Sequence, residues 1–138
     1  MTTIAINGTV SVSEDCGGCS GGAADTTIEF GDACASISAP VHTGLAKRSV
    51  ATPAPGWAAL SGVGAGDTVT RGQFIFLKVN APVLVRLTYD DGVGGDVLVV
   101  LPVDALAPLI LCLQGAKFLK GVEVQGSCTV HYLVSGQS

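Results

Sequence analysis

The stretch FIFLKVNAPVLVRLT, residues 74–88, decides the fold class of this chain. Apolar residues alternate along its first half, from Ile75 to Val79, and again along its second half, from Val83 to Leu87. An apolar period of two is typical of a half-buried β-strand. A turn that contains a proline separates the two halves. The stretch therefore predicts two consecutive strands joined by a short connection.

The segments beyond this pair extend the β pattern. Residues 97–101 and 109–113 are continuous apolar runs, which suit strands buried on both faces. Residues 122–134 alternate on either side of a break at Gly126, which predicts two more strands, and residues 62–67 predict a flexible loop. Apolar spacing typical of a helix is absent from every Gly- and Pro-free window of about ten residues. We therefore predict an all-β chain, an antiparallel β-sandwich or jelly-roll-like barrel with Gly-rich loops and less than ~10% helix.

The alternating and continuous apolar positions also predict which side chains form the hydrophobic core. The predicted core residues are Ile75, Leu77, Val85, Leu87, Leu98, Val100, Leu109, Leu111, Val122, Val124, Val130 and Tyr132.

Composition indicates one β domain that associates with other molecules. The 138 residues are 48% hydrophobic and only 13% charged, against about 25% charged in typical domains. We interpret residues 1–138 as a single β domain, with residues 1–45, which are richer in Gly, Ser, Thr and Cys, as an N-terminal arm or subdomain. A chain so poor in charge is expected to cover part of its surface with copies of itself or with a partner.

Charge and hydropathy argue against two classes of partner. The net charge is −4, and the seven basic residues form no stripe along which a phosphate backbone could bind, so we expect no nucleic-acid partner. The most apolar stretch, residues 97–113, is interrupted by prolines and is shorter than the ~20 residues of a membrane span. The first residues lack the features of a signal peptide, so we expect none.

The cysteines raise the question of a metal site. Cys16 and Cys19 have the spacing of a zinc-binding pair, and Cys34 with His42 could complete a tetrahedral site. A second such pair is absent from the sequence, so we expect no bound metal and no cofactor. The odd number of cysteines argues against a disulfide framework. Cys112 and Cys128 are expected to behave as small hydrophobic residues on strand faces.

Residues suited to catalysis are few. The sequence has two histidines, His42 and His131, and neither belongs to a recognisable nucleophile–base motif. The aspartates of residues 90–96 are interpreted as a solvated hairpin tip rather than a calcium loop. Arg86, in the middle of an apolar strand, is interpreted as a surface or interface arginine with a buried stem, with ligand binding as the alternative. We therefore expect a protein that is not an enzyme.

Two segments carry a resemblance to a known group of proteins. Residues 74–88, with their proline turn, and residues 121–136, a final apolar strand that ends at a glycine, resemble small structural proteins of tailed bacteriophages. The resemblance covers about residues 68–138. It implies a capsid decoration or cement protein, with a tail or fibre accessory protein as the alternative.

The same resemblance implies an oligomer, most simply a homotrimer, that sits on the major capsid protein of a virion made in the host cytoplasm. A rival hypothesis from another class is a small binding module stabilised by metal at the Cys-rich loop. The two hypotheses differ in whether residues 16–42 bind zinc.

Overall fold

The computed structural model describes Gly8–Val12, Thr26–Phe30 and residues 41–113 and 115–138. Backbone proximity divides the chain into two compact units. The smaller unit is Thr3–Ser36, and the larger unit comprises Met1–Thr2 and Ile37–Ser138. In the smaller unit, β1 (Gly8–Val12) pairs antiparallel with β2 (Thr26–Phe30).

Eight strands form the sheet of the larger unit. They are β3 (Val41–His42), β4 (Ala46–Thr52), β5 (Ala58–Ala59), β6 (Arg71–Val79), β7 (Val83–Asp90), β8 (Asp96–Val103), β9 (Leu109–Cys112) and β10 (Phe118–Gln137).

All of these strands are antiparallel to their neighbours, and β10 is the centre of the sheet. The main strand order is β8-β7-β10-β6-β9, while β3, β4 and β5 also pair with β10. Gly72 of β6 pairs with Leu119 near the start of β10 and with Gly136 near its end. Because both ends of one strand meet the same residue, the sheet must curl. The larger unit is thus an all-β half-barrel, and the described residues contain no helix, which confirms the predicted fold class.

The predicted break at Gly126 is wrong, because β10 is one strand of 20 residues. Gly126 has a φ of 131°, in a region that residues with a side chain rarely adopt. The strand therefore bends at this glycine while its ladders continue. Before the bend it pairs mainly with β7, and beyond the bend mainly with β6. The sequence pattern shows that the alternation is interrupted at Gly126. It does not show that the strand continues to pair with its neighbours on both sides of this residue.

The core fills the inside of the curl, and most of its predicted members lie there. Eight predicted residues are buried, and Leu109 and Leu111 are half-buried against them. Two predictions are wrong, since Leu98 is 59% exposed and Val100 is 49% exposed. The reason is that β8 is an edge strand whose even-numbered residues face outward. The confirmed residues are Ile75, Leu77, Val85, Leu87, Val122, Val124, Val130 and Tyr132.

The loop between β5 and β6 also contributes to the core, which the sequence pattern did not predict. Leu60, Val63 and Val69 are buried. The amide of Val69 donates to the carbonyl of Gly62, and the amide of Gly64 donates to the carbonyl of Val69, at 3.0 and 2.9 Å. The loop is therefore held by its own hydrogen bonds and packs its apolar side chains against the core of the half-barrel.

Candidate binding surface

The outward side of β7 and β8 presents apolar side chains to solvent. Leu84 is 38% exposed on β7, and Leu98 and Val100 are more exposed on β8. The ladder register places Val100 directly beside Arg86 and Leu98 directly beside Thr88. We call the side chains of Leu84, Arg86, Leu98, Val100 and Glu123 the β7–β8 face.

The charges within this face cancel. Arg86 donates from Nε to Oε2 of Glu123 at 2.6 Å, and both side chains are 27% exposed. The hydrogen bond to Glu123 raises the pKa of Arg86 above its usual range. Since the two residues face each other across β7 and β10, the face contains a neutral pair surrounded by apolar groups.

An aromatic ring fixes the arginine in place. The guanidinium of Arg86 lies over the ring of Trp57, 4.4 Å from its centroid, an arrangement that attracts a cation to the ring electrons. Gln125 donates from Nε2 to the carbonyl of Gly56 at 2.9 Å and so holds the turn that precedes the tryptophan. This pairing agrees with the interpretation of Arg86 as a surface residue. Sequence reasoning missed Trp57, because the two residues are 29 positions apart and only the ladders bring them together.

The free edge of β8 continues into a shallow groove. Among the described strands, β8 pairs only with β7 and β9 only with β6. The groove, of about 390 Å³, lies where these two end strands are connected and is lined by residues 101–104 and 107–109. Leu106 projects from the same connection and is 92% exposed. The lining is mostly apolar, with Asp104 as its charged member.

The aspartates at the tip between β7 and β8 serve their own turn. Asp91 accepts hydrogen bonds at Oδ1 from the amides of Val93 and Gly95, at 2.8 and 2.9 Å. These bonds lower the pKa of Asp91 below its usual range. Lys120 donates to Asp96 at 2.7 Å. The carboxylates are therefore engaged in shaping the hairpin.

The structure locates one of the four residues named for zinc. His42 is exposed, and its Nδ1 accepts a hydrogen bond from the amide of Gly44 at 2.9 Å. Cys16, Cys19 and Cys34 lie outside the described residues. Over residues 41–113 and 115–138, no group of three or more His, Cys, Asp or Glu side chains is placed to hold a metal ion. The prediction about metal stays a prediction.

The two cysteines of the larger unit differ from each other, and one prediction about them is wrong. Cys112, at the end of β9, is disulfide-bonded, contrary to the expectation of a small hydrophobic thiol. That expectation rested on the place of Cys112 on an apolar strand face, and the odd number of cysteines argued against a disulfide framework. Neither observation tells which residues come together in space. Cys128 is a free, half-buried thiol. Burial raises its pKa.

The histidines lie on exposed strand positions. His131 of β10 is exposed and in register with Lys47 of β4 and Lys78 of β6. His42 is in register with Ser135.

The described part of the chain contains no helix that could span a membrane.

Comparisons with known proteins give no family. No protein-family model and no curated protein matches the chain. Among solved structures, the chain is similar to the Yersinia pseudotuberculosis-derived mitogen, with 13% identity and a TM-score of 0.44. The match covers 69% of this chain and 86% of that chain.

Proposed function

We propose that this chain is a non-enzymatic structural protein of a virus particle, a capsid decoration or cement protein. The observation that carries the proposal is the β7–β8 face, an apolar surface with a neutral ion pair at its centre. Full burial of a Leu or Val side chain stabilises by about 1.5–3 kcal/mol. Leu84, Leu98 and Val100, each exposed by 38–59%, would each contribute about 1 kcal/mol when a partner covers them.

Such a surface suits a protein that acts by adding contacts. Many copies on a repeating lattice each contribute a small free energy, and their sum opposes the pressure of a packaged genome. The low charge of the chain and its resemblance to phage structural proteins over residues 68–138 support the capsid lattice as the partner. A place on the tail or on a fibre is the alternative location, and it uses the same face.

The test uses particles from the genome that encodes this chain, assembled without it. Purified chain is added back, unbound protein is removed by sedimentation, and the particles are imaged by electron cryomicroscopy. We expect regular density on the outside of the capsid and genome release at a higher temperature. Density on the tail would establish the alternative location, and particles that bind no chain would refute the proposal.

Two matched variants test the role of the face. Leu84→Lys places a charge inside the β7–β8 face at a position that is already partly exposed, so folding is expected to survive. Binding should weaken by about tenfold or more, which corresponds to about 1.4 kcal/mol. Leu106→Lys makes the same chemical change at a side chain outside the face, and should bind as the unaltered chain does.

A further inference from the structure

The strand β8 has the sequence of an interior strand but the position of an edge strand. Residues 97–101 are continuously apolar, a pattern typical of strands buried on both faces. In the structure its outward residues Leu98 and Val100 are exposed, and its inward residues Val97 and Val99 are only half-buried. A further strand paired with the free edge would give β8 an interior position in a longer sheet.

This edge lacks the devices that normally prevent such pairing. Soluble proteins protect edge strands with lysines, inward charges, bulges or prolines. Residues 97–103 carry no charge, and the ladder between β7 and β8 runs without a register shift from Val83 to Asp90. Pro102 is the exception, and it lies at the last pair but one.

Pro102 also indicates which backbone groups face the free edge. A proline is accommodated in an edge strand when its nitrogen points away from the neighbouring strand. Because the hydrogen-bonding direction alternates along a strand, Leu98 and Val100 share the direction of Pro102. Their N–H and C=O groups are therefore directed away from β7, toward the open edge. An occupant of this edge must offer an extended backbone.

We propose that the occupant is β8 of a second copy of this chain, paired antiparallel about a two-fold axis at Val99. In this register Leu98 faces Val100 of the second copy, and Val99 faces Val99 of the second copy. Pro102 falls at the end of the new ladder, opposite Asp96 of the second copy, where its missing donor costs least. The sheet then continues from one copy into the other.

Charge is compatible with this arrangement. Asp96, the charged residue of β8, lies six residues from the position that Pro102 occupies. The two Asp96 carboxylates are thus about 20 Å apart along the paired strands, more than twice the Debye length of about 8 Å at physiological ionic strength. The pair of Arg86 and Glu123 is neutral and lies farther in. Nothing along the paired segment repels its own copy.

In a two-fold dimer both copies contribute the same element to the contact, and β8 can be that element on each copy. A three-fold ring, which the phage resemblance implies, would need β8 to pair with a different element of the next copy. The edge therefore favours a dimer as the unit in solution. The pairing leaves the β7–β8 face exposed on both copies, so the inference does not depend on the proposed virion role.

The test exploits the residue that faces itself. The chain should have twice its 13.8 kDa mass by light scattering at about 50 µM, a concentration suited to micromolar affinity. Val99→Lys and Val99→Glu each place like charges opposite one another across the axis, and each variant alone should be monomeric. A one-to-one mixture of the two should regain the dimer mass, because the introduced lysine then faces the introduced glutamate. Leu106→Lys, the matched control, should stay dimeric.

Hydrogen exchange tests the same pairing in the unaltered chain. The amides of Leu98 and Val100 should exchange slowly at high concentration and on the order of tenfold faster after dilution below the dimer affinity. The amides of Val97 and Val99, which are directed toward β7, should stay protected at both concentrations. This measurement remains decisive if the charged variants do not fold. A monomer at all concentrations, a trimer, or a dimer whose Leu98 and Val100 amides exchange freely would overturn the proposal.

Discussion

Removal of a single hydroxyl from the core, by Tyr132→Phe, tests how the loop between β5 and β6 is held. Tyr132 is 1% exposed on β10. Its hydroxyl donates to the carbonyl of Ser61 at 2.9 Å and lies 3.1 Å from the Ser61 hydroxyl. This contact ties the buried end of the loop to the central strand. The substitution keeps the ring and its packing and removes only the polar tie.

The expected loss follows from the surroundings of the partner. A buried hydrogen bond contributes about 1 kcal/mol net, and an acceptor left unpaired in the core costs about 1–3 kcal/mol. Ser61 is exposed, so water can reach its carbonyl once the tyrosine hydroxyl is gone. The free energy of unfolding should therefore fall by about 1 kcal/mol, and the melting temperature by about 3–5 °C.

Urea unfolding measures this change, with the midpoint shifted and the slope unchanged. Ser61→Ala is the matched control, because it keeps the carbonyl acceptor and should cost less than about 0.5 kcal/mol. The amide of Val69, which donates to Gly62 within the loop at 3.0 Å, should exchange faster in Tyr132→Phe than in Ser61→Ala. A loss above about 3 kcal/mol, or no loss at all, would refute the reasoning that a solvated carbonyl is the partner.

Three further predictions follow from other contacts. Gly136→Ala should destabilise by on the order of 3 kcal/mol or more in urea unfolding, because a Cβ there would overlap the carbonyl oxygen of Arg71. The pKa of Asp91 is lowered in the folded state, so its ionised carboxylate stabilises the fold. This stabilisation is fully present above the ordinary carboxyl pKa of about 3.9 and is lost as pH falls through the folded-state pKa. Unfolding measured from about pH 5 to 2 should thus be steeper with pH in the unaltered chain than in Asp91→Asn. Cys112→Ser should lower stability by about 2–4 kcal/mol and reduce the effect of a reductant on the melting temperature, whereas Cys128→Ser should leave that effect unchanged.

The strands were predictable because each ladder leaves a local pattern. Residues 74–88 alternate with a period of two, and the structure forms β6 and β7 there with their inward residues buried. The turn between them was visible as a proline that cannot join the ladder. Alternation and the proline turn involve residues that are close together in the chain, so both can be recognised in the sequence alone.

Other features depend on residues that are distant in sequence and were not predictable. The stack of Arg86 on Trp57 joins residues 29 positions apart, and alternation says nothing about it or about the disulfide of Cys112. The same holds for β10, where one glycine decides between two strands and a single bent one. The burial of Val63 and Val69 was not predictable because the apolar residues of a loop that packs on the core follow no regular spacing.

Leu98 and Val100 are errors of a different kind, because their pattern was read correctly but the isolated chain does not satisfy it. An apolar run of this kind in an edge strand leaves both its faces and its backbone edge in contact with water, which invites pairing with another strand. Selection on a monomer would introduce a lysine or an inward charge at such a position, as natural edge strands show. That β8 carries neither within residues 97–103 supports the proposed pairing of this edge with a second copy.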